Sequence, residues 1–118
     1  MTENFSLESH FSGKEPIVRK MYDRLLSALR KFGKVIEEPR KTSIHLVNVS
    51  AFAGVQTRET YILLNIKAEH KIESPRIHQG EQISAKRFHH RVKISSVGEI
   101  DKELIGWLHD AYTMGGKK

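Results

Sequence analysis

The heptapeptide Tyr61-Ile-Leu-Leu-Asn-Ile-Lys67 constrains this chain more than any other stretch. It is the longest apolar run and contains neither Gly nor Pro. Read with a period of two, Ile62, Leu64 and Ile66 share one face; Tyr61, Leu63, Asn65 and Lys67 share the other. Such a strand needs partners along both edges, so we place it at the centre of a small sheet.

Its expected partners are weaker. Thr42–Asn48 alternates, with Ile44 and Leu46 on one face and Ser43, His45 and Val47 on the other. Asn48-Val-Ser50 reads as a turn, and Phe52–Thr57 as the next strand. Gly54 inside that strand points to a bulge or a close backbone approach. Arg58-Glu-Thr60 makes a hairpin loop. Lys34–Pro39 reads as a short edge strand, ended by a proline that cannot donate to a ladder. Lys86–Ser95 is the last strand. Phe88, His90, Val92 and Ile94 line one face; Arg87, His89, Arg91 and Lys93 line the other. Between these, Ala68–Ala85 holds Pro75, Gly80 and few apolar residues. It reads either as a short strand around Ile83 or as a mobile loop.

Two helices flank the strands. Ser12-Gly-Lys-Glu15 has the form of a capping box, and Pro16 suits a first turn. The helix runs to about Phe32, with Val18, Met21, Tyr22, Leu25, Ala28, Leu29 and Phe32 on one stripe. Gly33 is the expected left-handed stop. Ser96-Val-Gly-Glu99 is a second capping box, opening a helix with the stripe Ile100, Leu104, Trp107, Leu108, Ala111 and Tyr112. Gly115 and Gly116 end it. The order helix, strands, helix gives an α+β two-layer sandwich, with a mainly antiparallel meander of about four to five strands. Both the N-terminal and the C-terminal helix are expected on one face of the sheet.

With 118 residues, 38% hydrophobic and 29% charged, residues 1–118 suit one globular domain. Residues 1–9, including Phe5, and 115–118 are expected to be loose. There is no cysteine, which excludes disulfides and thiolate chemistry. The first residues lack the pattern of a signal peptide, and no run is long enough for a membrane span. A cytoplasmic location is the expectation.

The landmarks His10-Phe11-Ser12-Gly13-Lys14, Lys41-Thr-Ser-Ile44, Phe52-Ala-Gly-Val55, Leu63-Leu-Asn-Ile66, His90-Arg-Val-Lys-Ile94 and Glu99–Leu108 with Ala111-Tyr112 occur in order. Together they resemble the bacterial and archaeal family called domain of unknown function 5655, over roughly residues 8 to 113. The resemblance implies no established activity and supplies no catalytic residues. Some family members look like appendages to proteins resembling restriction or DNA-processing systems, which implies a nucleic-acid context by association.

The net charge of +6 fits that context. The candidate nucleic-acid-binding residues are Lys86, Arg87, His89, Arg91 and Lys93 on the last strand, together with Lys41. Along a strand they stand about 6.5–7 Å apart, close to the phosphate repeat of a nucleic-acid strand. No aromatic residue accompanies them on that strand face, and the bland reading is a solvated face whose like charges discourage edge pairing. Arg19, Lys20, Arg24, Arg30, Lys31 and Lys34 wrap around the first helix and read as ordinary wet surface. Tyr61, Leu63 and Val47, with Phe52 a further candidate, give the open sheet face an apolar component. That suits a protein partner or homodimer instead, unless the 68–85 segment covers it.

The chemistry of catalysis is thinner. His90 is expected to point inward as a hydrogen-bonded core residue. His45, His70 and His78 show no recognised ligand spacing with it, so no metal and no cofactor are expected. A metal-dependent hydrolase would need an acid and an acid-x-Lys pair on adjacent strands. Asn65-Ile66-Lys67 puts an amide where a carboxylate is required, and Glu59 and Glu69 fall in a loop and past the strand end. The reading is therefore a non-catalytic accessory module.

Overall fold

The computed structural model describes residues 6–116; Phe5 and the rest of 1–5, with Lys117 and Lys118, lie outside the described residues. Two α-helices, α1 (Pro16–Leu29) and α2 (Lys102–Gly115), bracket strands β1 (Ile36–Pro39), β2 (Ile44–Val47), β3 (Ala51–Thr57), β4 (Ile62–Ala68), β5 (Ile77–Ser84) and β6 (Arg87–Ile94). The class is α+β, but the sheet has six strands rather than four to five. All pairings are antiparallel, in the order β1-β2-β3-β4-β6-β5.

The alternation of β4 organises the core. Ile62, Leu64 and Ile66 are fully buried and lie opposite Thr57, Val55 and Ala53 of β3 on one side and Ile94, Val92 and His90 of β6 on the other. Ile44 and Leu46 extend this inner face through β2. Onto it pack Val18, Met21, Tyr22, Leu25 and Leu29 of α1 and Leu104, Leu108 and Ala111 of α2 in one cluster. Both helices thus cover the same side. Burying each of these large side chains contributes about 1.5–3 kcal/mol.

The extra strand is β5. The segment 68–85 holds a strand that includes Ile83, longer than the short one expected. It forms an eight-residue edge strand paired with β6, exposed along almost its whole length. Because β6 inserts between β4 and β5, the meander is broken and β5 runs parallel to β4. Residues 69–76 make this crossing on the helix side. Ile72 N donates to the inward-facing His90 Nε2 at 2.9 Å. Arg76 reaches Asp101 at 2.8 Å, Glu103 at 3.1 Å and the Glu99 carbonyl at 2.6 Å, at the start of α2.

Several local expectations need correction. The Ser12–Glu15 box does not form: Glu15 is itself the N-cap without a side-chain bond, and its N–H donates to Glu59 O at 2.8 Å. Helix α1 stops at Leu29, and Arg30–Phe32 continue as turns to Gly33, which has φ 150°. The Ser96–Glu99 box does not form as a reciprocal cap: Ser96 Oγ donates to Glu99 Oε1 at 3.2 Å instead of accepting from a backbone N–H, and Glu99 Oε1 accepts from Ser95 N at 3.0 Å, beside a 3-10 turn over Val97–Glu99. Helix α2 starts later, at Asp101, whose carboxylate accepts from Leu104 N at 3.1 Å. His10 is buried, with Nε2 2.7 Å from Arg40 O, and its own carbonyl accepts from the Thr57 hydroxyl. No helix among the described residues is long and apolar enough to cross a membrane.

A bulge in β3 fits α2 to the sheet. Leu46 faces Ala53 while Val47 faces Ala51, so Phe52 is the extra residue and turns inward with Ala53. Phe52 is therefore fully buried under Tyr112, ring centroids 5.3 Å apart, and is not on the open face. Gly115 closes against it: a Cβ there would lie 2.9 Å from Phe52 Cβ and 3.1 Å from Ser50 O. Helix propensity alone would favour alanine at this position by about 1 kcal/mol. We expect the opposite sign. Gly115→Ala should lower stability by about 1–3 kcal/mol, read as a lower urea midpoint at unchanged m-value.

Candidate nucleic-acid interface

The same alternation that fills the core aims a second set of side chains away from it. Cross-strand register places His45, Gly54, Asn65, Arg91 and Gln79 in one rung across five strands on the outer face. The next rung carries Lys67, His89 and Glu81, and the rung on the other side carries Gln56, Leu63 and Lys93. Adjacent strands are about 4.8 Å apart, so these groups form a dense lattice of cations and amides. At its centre lies an open hollow of about 430 Å³ floored by the Gly54 region.

Of the sequence candidates, Arg87, His89, Arg91 and Lys93 stand on this face, with Lys86 at the β5–β6 turn beside them. Lys93 places its ammonium 4.4 Å from the Tyr61 ring centroid. Lys41 does not join them. It is exposed in the β1–β2 turn, three strands from β6, roughly 14 Å at ordinary strand spacing. Lys67, His45 and the amides of Gln56, Asn65 and Gln79 complete the face. Sequence reading did not group them with the β6 cations, because strand order and register bring them together. Alternation alone had already assigned Lys67 and His45 to outward-facing sides of their own strands.

Charges are segregated between the two sides. Ion pairs among the described residues use Arg19, Arg30, Arg40 and Arg76. None reaches Lys67, Lys86, Arg87, Arg91 or Lys93. The acids on the outer face sit at its margins: Glu38 is held by Arg40 at 3.0 Å, and Glu81 lies opposite His89. Partial burial, then the nearby Arg87 charge, holds the Lys67 ammonium below its usual range. Burial, then Lys67 and Arg87, lowers His89, while Glu81 opposes the shift. Burial, then Arg40, lowers His45, with Lys67 adding to the shift and Glu38 opposing it. In each case burial is the larger cause, and neighbouring cations add to it.

The family model described as Domain of unknown function (DUF5655) matches residues 7–115. The chain belongs to this family. Comparison with curated proteins and with solved structures gave no match. The family description carries no activity, so the chemistry of this DUF5655 domain rests on its own residues.

The two acids of the metal-dependent hydrolase reading stand apart. Glu59 and Glu69 flank opposite ends of β4, roughly 20 Å apart by strand rise. No group of three or more His, Cys, Asp or Glu among the described residues could hold a metal ion. His90 belongs to the inner face, 1% exposed, and its Nε2 accepts the Ile72 N–H, which makes it a neutral Nδ1–H tautomer. That Nδ1 lies near the Ile66 carbonyl but meets no partner in hydrogen-bond geometry.

Burial keeps His90 below the ordinary histidine range against an opposing pull from the Ile66 carbonyl, which ranks next, with His70, His89 and Lys71 adding smaller contributions to the lowering. The unfolded chain therefore takes up this proton first as pH falls. The stability this site contributes is complete above about pH 6.5 and is lost as pH drops through that value toward the folded pKa. Urea unfolding at about pH 7.5 and about pH 5 should show the loss. His90→Gln keeps an acceptor for Ile72 N–H but cannot titrate, so it should flatten the dependence. His45 and His89 would supply the remainder with the same sign.

Proposed function

We propose that this DUF5655 domain is a non-catalytic module that binds nucleic acid through the outer face of its sheet. One observation carries the reading. Lys67, Arg87 and Arg91 rise from adjacent central strands without a carboxylate partner among the described residues, while Arg19, Arg30, Arg40 and Arg76 elsewhere are paired. A phosphate backbone laid along β6 meets a cation about every 6.5–7 Å, and each contact releases counterions. Bound phosphate would also offset the charge repulsion that adds to burial in lowering Lys67 and His89. A protein partner is less well served. Of the apolar residues of this face, Leu63 and Val47 each keep only 8% exposure, and Ile36, 38% exposed opposite Val47, stands on the edge strand β1, away from the β6 cations.

Anisotropy of a labelled single-stranded oligonucleotide across a salt series tests the proposal. Log affinity should fall linearly with log salt. Arg87→Ala with Arg91→Ala should reduce the slope by about 1.4, the loss of two single-strand phosphate contacts. Lys20→Ala with Arg24→Ala, on the exposed side of α1, should leave the slope unchanged. Absence of binding at low salt would refute the proposal.

A further inference from the structure

Gly54 lies in the interior of β3, paired with His45 on one side and Asn65 on the other. Glycine weakens a strand at such a place, and its presence marks a bulge, a strained backbone or a close approach. None of these applies within the protein. The bulge of β3 is at Phe52, and Gly54 has no positive φ. A Cβ built on it would find nothing closer than Ile44 O, at 3.9 Å. The fold would accept a side chain here. What the glycine does provide is the floor of the hollow, level with the backbone while its neighbours stand up around it.

The surroundings specify a chemistry. Gln56, Asn65 and Gln79 present carboxamides on three sides, groups that donate and accept hydrogen bonds at once and so match the polar edge of a nucleobase. His45, His89 and Arg91 add flat groups able to stack on a base face. Lys67 and Arg91 supply charge for a phosphate, while Glu81 at the rim would repel it and accept from an exocyclic amine instead. The volume of about 430 Å³ falls within the ~300–1,000 Å³ of small-ligand sites.

We propose that the hollow over Gly54 is a subsite for one unstacked nucleotide, its base on the glycine floor among Gln56, Asn65 and Gln79 and its phosphate toward Lys67 and Arg91. The inference rests on the nucleic-acid reading and deepens it. The module then prefers single strands, because a stacked and paired base cannot enter the hollow.

Gly54→Leu fills the floor and alters no charge. It should fold with stability equal to or above that of the parent by urea unfolding. Its affinity for a labelled twelve-nucleotide single strand should drop by about ten-fold or more, the scale of losing one seated base. Affinity for a twelve-base-pair duplex should change little. Failure of the parent chain to bind either oligonucleotide would remove the nucleic-acid reading itself. Parent binding with Gly54→Leu unaffected, or weakened equally for both oligonucleotides, would overturn the subsite alone. If Gly54→Leu fails to fold, the parent chain decides. Adenosine 5′-monophosphate should shift the ring resonances of His45 and His89 but not of His109 on α2. Equal shifts and affinity with inorganic phosphate would reduce the hollow to a phosphate site and overturn the base assignment.

Discussion

Strand β4 is hydrogen-bonded on both edges, to β3 and to β6, and its side chains divide cleanly between two environments. Ile62, Leu64 and Ile66 are fully buried, while Asn65 and Lys67 stay partly exposed. A one-residue slip would send the apolar set to water and the ammonium into the core, so register is strongly specified here. The core and the cationic face are therefore consequences of one alternation. Anything that fixes the first positions the second.

The same division explains why the charged groups can remain unpaired. On the helix side, the carboxylates that meet arginines do structural work. Glu37 joins the Tyr22 hydroxyl and Arg30, both at 2.6 Å, and burial together with Glu37 pushes the Tyr22 phenol well above its usual range. Asp101 and Glu103 anchor Arg76, which holds the β4–β5 crossing against α2. Because that crossing runs over the helix side, nothing from residues 69–76 covers Arg87 and Arg91. The outer face stays solvated, where like charges are tolerable, and a polyanion can replace the water.

Much of the frame was legible from residue pattern. The stripes of both helices and the alternation of β2, β4 and β6 directly encode burial, so they could be read. Strand β5 was legible only as one of two alternatives, around Ile83, because His78-Gln-Gly-Glu-Gln82 is polar and exposed on an edge, and a strand that buries nothing carries no periodic signal. Phe52, by alternation a candidate for the open face, turns inward for a related reason: one inserted residue flips the parity that the reading relies on. The Ser12 box failed because the Glu15 N–H already has a partner in Glu59, forty-four residues away. The β6 cations were visible as a row, whereas the rung from His45 through Asn65 to Gln79 depends on cross-strand register, which no local pattern contains. Gly54 suggests a bulge or a close backbone approach in sequence, but the bulge lies at Phe52 and the glycine faces open space.

The central claim is that the two faces of β4 differ, one sealed by helices and one open. The chain has no cysteine, so single cysteines report this directly. Asn65→Cys and Lys67→Cys should react with a hydrophilic maleimide in the native protein at rates approaching those of the unfolded chain. Leu64→Cys should react only on unfolding. If Asn65→Cys and Lys67→Cys were as protected as Leu64→Cys, the outer face would be covered and the cationic surface described above would not be available to any ligand.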